Sequence, residues 1–342
     1  MNISVRDKEK STSRTKNKAL EIAKGITICL LAFIVGIYIK TIIKGYTSRL
    51  NTFKKDIVNN YSRPEVLDTI FKNNLGDDYT GDINTDFDIF VINNLFNEIN
   101  KYELEHNKIY NSHLPKEWLE SYNTSSKGSA SELYGEPINA NTYYLKIPQF
   151  CDGITYKHFK NYKDDMIDYN NLIIDLRNNT GGNFGDFEKI SAVFLKEGSE
   201  IYRLYTPKDI IIKKSSNKTP SKFENIIILT NYYTASVSEL FLLSLKNNLD
   251  NVTIIGTNTH GKNISCNIRT FNDKSGVIFI TSFMTGPNSF EIGSQGIPPD
   301  IYIGNTEEFY KSLNNPDKEK ELRDKDSANQ YEQAIQFLAN KK

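Results

Sequence analysis

The sequence predicts an α/β fold with a largely parallel sheet, and two observations support this prediction. After Asn141, apolar runs of strand length alternate with segments in which apolar residues recur at helical spacing. Several of the apolar runs end in glycine and polar residues, as do strands whose carboxyl ends carry functional loops. Such alternation is typical of a parallel sheet with helices packed on its faces.

The elements of this fold are predicted in chain order from their patterns. Apolar runs predict buried strands at residues 142–147, 172–176, 226–230 and 252–255. Helical periodicity predicts helices at 156–167, 184–195 and 236–248. Residues 264–284 lose that periodicity and predict two strands with a turn at 272–276, whereas the charged end of the chain predicts helix. We therefore expect a catalytic core at 141–305, completed by a helical segment at 306–342.

The residues before the core begin with a basic segment and an apolar run. The run carries no charge from Ile26 to Ile39, and the lysines Lys40 and Lys44 that follow can reach the membrane interface. We predict a transmembrane signal anchor at 26–43 behind a basic, cytoplasmic segment at 1–25; a cleaved signal peptide is the alternative. Basic residues are balanced on the two sides of the run, so charge alone does not orient it.

Helical spacing continues from Thr47 to Trp118, and residues 47–140 are predicted to form a helical stalk or cap with a linker. Residues 121–130 are polar and rich in serine, which is typical of an exposed loop. A Ser-Ala-Ser-Glu sequence begins there at Ser129. Because no apolar strand precedes it, we interpret it as part of the loop.

Charge and cysteine content exclude several classes of protein. The 342 residues include 42 acidic and 42 basic side chains, so nothing favours a nucleic-acid partner. The three cysteines, Cys29, Cys151 and Cys266, lack metal-ligand spacing and cannot form a disulfide framework. One bridge between Cys151 and Cys266 is conceivable in an oxidising compartment, and two unpaired thiols are the favoured interpretation. No cofactor is implied.

Three segments at the ends of apolar runs carry the residue types of an acyl-transfer site. They contain the glycines Gly181 and Gly182, the serine Ser236 and the lysine Lys262. A serine, a lysine and backbone N–H groups can act as nucleophile, base and oxyanion donors where no histidine serves as base. Each also has a structural interpretation, because glycine pairs mark turns, serine is a common helix N-cap and lysines are normally solvated.

Neighbouring residues offer competitors for these roles. Ser238 is the second choice of nucleophile, and His260 is a less favoured base. Asp175 and Arg177 precede the glycine pair, and we expect them to pair with each other or fix the loop rather than contact substrate.

The residues of these segments, and the order of the segments along the chain, resemble those of the C-terminal processing (tail-specific) peptidases, which are serine peptidases with a serine/lysine dyad. The resemblance covers the chain from about Asn141 to its end. The similar segments are residues 171–177 with the glycine pair, Ala235-Ser-Val-Ser-Glu239, Thr259-His-Gly-Lys262, Gly296-Ile-Pro-Pro-Asp300 and the closing residues 331–338.

The resemblance implies a fold, a mechanism and a location. It implies a crotonase-like or ClpP-like core, with Ser236 as nucleophile and Lys262 as base of a peptidase that forms an acyl-enzyme. Gly181, Gly182 and Val237 are then the expected oxyanion donors. The implied partners are polypeptide substrates, among them tails of exported or membrane proteins, and a lipid bilayer crossed by one helix. The implied location is the cell membrane, with the catalytic domain extracytoplasmic.

Two features depart from the family pattern and keep alternatives open. Cys266 stands where members often have a glutamine that orients the lysine amine, and the chain has no room for an ordinary PDZ domain. A catalytically impaired, peptidase-like binding protein is one alternative. A nucleotide-binding protein is a less favoured one, because Gly256 to Lys262 match G-x-x-x-x-G-K but Asn263 replaces the usual hydroxyl residue and extended chain follows.

Overall fold

The computed structural model describes Lys54 and residues 64–102, 112–206, 208–304 and 306–341. The segment predicted as a membrane anchor, 26–43, lies outside these ranges. Within them, no helix combines the length and the apolar character that a membrane span requires. The chain divides after Ile92 into two compact units.

The described part of the first unit is helical. Helix α1 spans Pro64–Leu75, and α2 (Ile83–Tyr102) begins in this unit and continues past its last residue, Ile92. The rings of Phe71 and Phe87 pack edge to face, with centroids 6.4 Å apart, in a cluster of buried apolar side chains. The buried carboxylate of Asp86 accepts hydrogen bonds from the N–H groups of Thr80 and Gly81, which fixes the turn before α2.

The second unit contains helices and strands in alternation. Its described helices are α3 (Lys116–Ser131), α4 (Thr155–Met166), α5 (Phe184–Phe194), α6 (Val237–Lys246), α7 (Thr306–Ser312) and α8 (Pro316–Asn340). Its described strands are β1 (Ser112–Leu114), β2 (Tyr134–Asn139), β3 (Thr142–Lys146), β4 (Asn171–Asp175), β5 (Glu200–Tyr205), β6 (Ile210–Lys214), β7 (Asn225–Thr230), β8 (Val252–Gly256), β9 (Ile264–Thr270), β10 (Gly276–Thr285) and β11 (Ile301–Tyr302). The predicted buried strands are β3, β4, β7 and β8, and the predicted helices between them are α4, α5 and α6.

Six strands form one sheet in the order β11-β8-β7-β4-β3-β2. All neighbours in it are parallel except β2, which is antiparallel to β3 at one edge. The prediction of an α/β fold with a largely parallel sheet is therefore confirmed. Because the carboxyl ends of parallel strands lie at one edge of a sheet, the loops after β4, β7 and β8 leave from the same edge. These are the three loops that contain the predicted site residues.

Both faces of this sheet are covered, which explains why its central strands are apolar throughout. Ile228 of β7 lies in a large cluster with side chains of α4, α5 and α6, including Phe241. Its neighbour Ile227 lies in a separate cluster with Ala334 and Leu338 of α8. Successive residues of a strand point to opposite faces, so a strand buried on both faces has no polar alternation.

A second, antiparallel sheet has the order β1-β10-β5-β6, and β9 also pairs with β10. Strands β9 and β10 are the two that the sequence predicts around the turn at 272–276. The sequence does not predict the hairpin of β5 and β6 or the short strands β1, β2 and β11.

The expectation of a loop at 121–130 is wrong, because these residues lie within α3. Leu119 and Ala130 of this helix are buried, whereas residues 121–125 are all exposed. Serine and glycine weaken a helix only by fractions of a kcal/mol up to about 1 kcal/mol each, and packing of the buried side outweighs that cost. Ser129 accordingly lies in the last turn of a helix, rather than in a loop.

Candidate active site

Ser236 occupies the turn between β7 and α6. Its backbone has φ 59° and ψ −122°, a conformation that residues other than glycine rarely adopt. Such a conformation costs on the order of 1–3 kcal/mol and persists only where the surroundings impose it. A serine that only capped the helix would have an extended backbone. Ser236 is thus a partly exposed serine with a strained backbone at the N-terminus of α6, as in a nucleophile elbow.

Ser238, the second choice of nucleophile, has a different environment. It is 0% exposed in the first turn of α6, and its Oγ has no hydrogen-bond partner among the described residues. A nucleophile must reach its substrate. Burial therefore favours Ser236 over Ser238.

The glycine pair packs tightly around the turn of Ser236. A Cβ on Gly181 would lie 2.8 Å from Cβ of Ser236 and 3.0 Å from the backbone nitrogen of Val237. A Cβ on Gly182 would lie 1.8 Å from the carbonyl oxygen of Phe150. The φ angles of the two glycines are 100° and 129°. Both the space and the backbone conformation therefore require glycine.

The two glycines differ in what their N–H groups do. The N–H of Gly181 donates to Oδ1 of Asn179 at 3.0 Å, and Nδ2 of Asn179 donates to the carbonyl oxygen of Ile147 at 2.8 Å. The N–H groups of Gly182 and Val237 take no part in the hydrogen bonds that hold these loops among the described residues. Of the three predicted oxyanion donors, Gly182 and Val237 thus have N–H groups available for a ligand.

Hydrogen bonds to backbone carbonyl oxygens join the three loops to one another. The hydroxyl of Thr234 donates to the carbonyl oxygen of Leu176 at 2.9 Å, and the N–H of Ala235 donates to that of Asn179 at 3.0 Å. The N–H of His260 donates to the carbonyl oxygen of Thr234 at 2.9 Å. The loop of the glycines, the loop of the serine and the loop of the lysine therefore form one hydrogen-bonded body.

Lys262 lies half-buried in the loop between β8 and β9. The preceding Gly261 has φ 85°, and a Cβ there would lie 2.5 Å from the carbonyl oxygen of Gly293. Strand β9 begins soon after Lys262, at Ile264. A phosphate-binding loop requires a helix N-terminus at that place. The structure therefore contradicts the nucleotide-binding interpretation of residues 256–262.

A buried carboxylate, Glu239, ties the loop of Lys262 to the turn of Ser236. Its Oε2 accepts hydrogen bonds from the N–H groups of Ser236 at 2.7 Å and Lys262 at 2.9 Å. Its Oε1 accepts from the hydroxyl of Thr259 at 2.6 Å and the N–H of Gly261 at 2.7 Å. Glu239 is 0% exposed, and this burial raises its pKa while the four hydrogen bonds oppose the shift. One side chain thus fixes the backbones of both predicted dyad residues.

Glu239 is not among the site residues predicted from the sequence, although its spacing from Ser236 carries a signal. Ser236 and Glu239 have the S-x-x-E spacing of a capping box, in which the glutamate reaches back to the N–H of the serine. That spacing indicates the bond to Ser236. It does not indicate the bonds to Thr259, Gly261 and Lys262, because these depend on how β8 pairs with β7.

Asp175 and Arg177 form an ion pair beneath the glycine loop, as the sequence predicts. Nη2 of Arg177 lies 2.6 Å from Oδ2 of Asp175, and Nε donates to Oδ1 at 2.9 Å. The hydroxyl of Tyr144 donates to the same carboxylate at 2.6 Å, and burial together with Asp175 raises the pKa of Tyr144. Nη1 of Arg177 donates to the carbonyl oxygen of Ser327 and to Oε1 of Gln330 in α8. The pair therefore fixes the loop.

The region that contains these loops matches a known family. Residues 141–303 match the family model Peptidase family S41. A segment of 145 residues is 33% identical to the "Probable CtpA-like serine protease" of Staphylococcus epidermidis and covers 42% of this chain and 29% of that protein. A segment of 157 residues is 31% identical to the protein of the same name from Staphylococcus aureus and covers 45% and 30% of the two chains. The chain thus matches less than a third of the length of these relatives.

A solved structure extends the similarity of fold beyond the S41 region. The protein titled "Structure of a lipoprotein from Streptococcus agalactiae" superposes with a TM-score of 0.52 over 74% of this chain and 87% of that one, at 17% identity. At this identity the similarity shows the fold alone. The family match and the curated relatives confirm the resemblance to C-terminal processing peptidases and support a serine-type peptidase.

His260 and Cys266 flank Lys262 in the sequence. The ring of His260 lies against that of Tyr232, with centroids 5.2 Å apart. Burial raises the pKa of the Cys266 thiol, and the charge of Lys262 opposes this shift. Cys151 and Cys266 are both free thiols, which confirms the favoured prediction for this pair.

A narrow pocket lies beside the loop after β7. It is lined by Asn231 and Tyr232 from the loop after β7, Phe309 and Tyr310 from α7 and Arg323 from α8. The ring of Tyr232 lies 5.5 Å, centroid to centroid, from each of the rings of Phe309 and Tyr310. The three aromatic side chains of the pocket form the apolar part of a lining that is otherwise mostly polar.

Proposed function

We propose that this chain is a serine peptidase of the C-terminal processing type, in which Ser236 and Lys262 form the catalytic dyad. The observation that carries the proposal is the Glu239 carboxylate, which accepts hydrogen bonds from the N–H groups of both residues. The match to peptidase family S41 and the printed names of the curated relatives support it. We propose the crotonase-like or ClpP-like core of those peptidases as the specific form of the α/β fold.

In the proposed mechanism Lys262, as a neutral amine, takes the hydroxyl proton of Ser236 while Oγ attacks a peptide carbonyl. The N–H groups of Val237 and Gly182 stabilise the oxyanion, and Gly181 keeps the loop close to the serine. Lys262 returns the proton to the leaving amine, and a water molecule then hydrolyses the acyl-enzyme. Removal of a single oxyanion donor typically lowers kcat about 100- to 1000-fold.

The dyad is tested by cleavage of an unfolded protein. Ser236→Ala and Lys262→Ala should each lower kcat/KM by about 10⁴-fold or more, with circular dichroism unchanged. Ser238→Ala is the matched control, because it removes a buried Oγ without a hydrogen-bond partner among the described residues and should keep activity within about twofold. Full activity in Ser236→Ala would refute the assignment of the nucleophile.

A peptidase-like binding protein is the second candidate, and the presence of Cys266 in place of the family's glutamine favours it. A serine-directed covalent probe separates the two functions. Labelling of the folded chain at Ser236, absent from Ser236→Ala, would support the peptidase. A folded chain that binds an unfolded protein but is not labelled would support the binding protein.

We also propose that the chain is anchored in the cell membrane through residues 26–43 and that its catalytic domain lies outside the cytoplasm. The uncharged run with lysines at its end supports the anchor, and a processing peptidase requires access to exported or membrane polypeptides. Protease added to intact cells should degrade the catalytic domain and spare a tag placed before Arg6. Degradation only after lysis would place the domain inside.

A further inference from the structure

Among the residues that the structure describes, strand β6 is an open edge of the antiparallel sheet, because it is the last strand in the order β1-β10-β5-β6. It begins with three consecutive isoleucines, Ile210, Ile211 and Ile212, which are 58%, 48% and 44% exposed. Soluble proteins usually protect such edges with charges, proline or a covering segment, because unpaired backbone groups beside apolar side chains attract another strand. We therefore expect another strand to pair with this edge.

The hydrogen bonds of β6 determine which of its backbone groups face outward. At one end the N–H of Thr206 donates to the carbonyl oxygen of Asp209. At the other end the N–H of Ser215 donates to the carbonyl oxygen of Ser199, the residue before β5. Backbone groups alternate between the two sides of an antiparallel strand, so the odd-numbered positions of β6 bond to β5. The N–H and C=O groups of Ile210 and Ile212 then face the open side.

We propose that β6 pairs with β6 of a second copy of this chain, antiparallel and about a two-fold axis at Ile211. In this register Ile210 of each copy lies opposite Ile212 of the other, and these are the residues whose backbone groups face outward. Asp209 of each copy lies opposite Lys213 of the other, which forms two equivalent pairs of opposite charge. The antiparallel sheets of the two copies become one continuous sheet.

Isoleucine pairing selects this register over the next one that the backbone allows. A two-fold axis at Ile212 would also pair outward-facing residues, but it would set Ile211 opposite Lys213 and Ile210 opposite Lys214. The register centred on Ile211 sets all three isoleucines opposite isoleucines and is therefore the more stable of the two.

The side chains available for these charge pairs differ in their present contacts. Asp209 forms no ion pair with another residue in the described ranges, whereas Lys213 lies 2.5 Å from Glu188 of α5. In the dimer the ammonium of Lys213 lies between two carboxylates. Lys208 of each copy lies opposite Lys214 of the other, and these exposed like-charged pairs offset part of the attraction between Asp209 and Lys213.

The same short segment supplies both halves of the pairing, and this favours a second copy over an extended substrate peptide. Pairing by a peptide would satisfy the outward backbone groups, but nothing on the edge requires a particular peptide sequence. Self-pairing satisfies the backbone, sets isoleucines opposite isoleucines and places Asp209 opposite Lys213 at once.

Disulfide formation tests the register in the full chain in detergent, in a background where Cys29, Cys151 and Cys266 are serine. Ile211→Cys lies on the two-fold axis in a non-hydrogen-bonded pair, whose Cα atoms are about 4.5 Å apart and within disulfide range. Mild oxidation should link it into a dimer at least tenfold faster than Ile210→Cys, which lies farther from its symmetry mate. Equal rates for the two variants would overturn the register.

Sedimentation equilibrium of the full chain in detergent tests the association itself. The chain should be a dimer, and Asp209→Lys should raise the dissociation constant at least tenfold. The double variant Asp209→Lys/Lys213→Asp should recover most of the affinity. The control is Ile167→Lys, at an isoleucine that is 44% exposed outside β6, and it should leave the constant unchanged.

Three results would overturn the proposal. They are a chain that stays monomeric at micromolar concentration, a dimer that Asp209→Lys does not weaken, and a substrate peptide that protects β6 from proteolysis while the chain remains a monomer. None of these results depends on the peptidase activity, so the inference and the proposed function fail or stand separately.

Discussion

Replacing Glu239 by glutamine should loosen the loop of Lys262 without removing either residue of the proposed dyad. The carboxylate accepts four hydrogen bonds of 2.6 to 2.9 Å, and three of the donors are backbone N–H groups. A glutamine presents one oxygen and one NH2 group, so two of these donors lose their acceptor and face another donor. Each buried donor left unsatisfied costs about 1–3 kcal/mol.

The expected loss of unfolding free energy in Glu239→Gln is about 2–4 kcal/mol, less than the upper sum of these costs because the neutral amide avoids the burial of a charge. Urea unfolding at neutral pH measures it. Steady-state cleavage of one peptide should show kcat reduced at least about tenfold with KM nearly unchanged, because a shift of about 1 Å between base and nucleophile can cost about 100-fold.

The matched control for this experiment is Thr259→Ser. It keeps the hydroxyl that donates to Glu239 and accepts from the N–H of Ile297. Its stability should stay within about 1 kcal/mol of the original chain, and its kcat within about threefold. A Glu239→Gln chain with unchanged stability and unchanged kcat would refute the role assigned to the carboxylate.

Three further predictions concern the same loops. Gly182→Ala should lower the unfolding free energy by more than about 2 kcal/mol and kcat by at least about 100-fold, because its Cβ would lie 1.8 Å from the carbonyl oxygen of Phe150; an active, equally stable variant in thermal unfolding would contradict this. Cys266→Gln should raise kcat if an amide orients the amine of Lys262, and an unchanged kcat would show that this chain does not need one. Burial raises the pKa of Glu239 above the 4.5 of the unfolded chain, so the folded state binds that proton more tightly. The unfolding free energy should therefore fall as pH rises from 4.5 toward the folded-state pKa, with a slope that is absent from Glu239→Gln.

Burial decides which elements could be predicted from the sequence. Strands β4, β7 and β8 are buried on both faces, so they appear in the sequence as continuous apolar runs with clear ends. Strand β2 has only two half-buried positions and β1 is three residues long, so neither produces a pattern. The run Ile210–Lys214 is apolar at its start, but it is exposed, and its pairing with β5 was not apparent from spacing alone.

The residues of the site that belong to sequence motifs could be predicted from the sequence. The features that depend on contacts between distant segments could not. Ser236, Lys262 and the glycine pair stand at the ends of apolar runs, and their residue types suggested their chemistry. The positive φ of Ser236 has no signature in the sequence. It depends on parallel pairing of β4 with β7, which sets the glycine loop against the turn of Ser236 at the same sheet edge.

The strained turn of Ser236 requires support from a part of the chain far away in sequence, and the buried ion pair provides it. The side chains of Arg177 and Asp175 are only 10% and 4% exposed, so removing one partner would leave a buried charge, at a cost of about 3–5 kcal/mol. The guanidinium is also held by Ser327 and Gln330 of α8. The glycine loop that packs on Ser236 is thereby anchored to the C-terminal helix. Because backbone strain such as that of Ser236 persists only where its surroundings are rigid, the loops around Ser236 and α8 must fold as one unit.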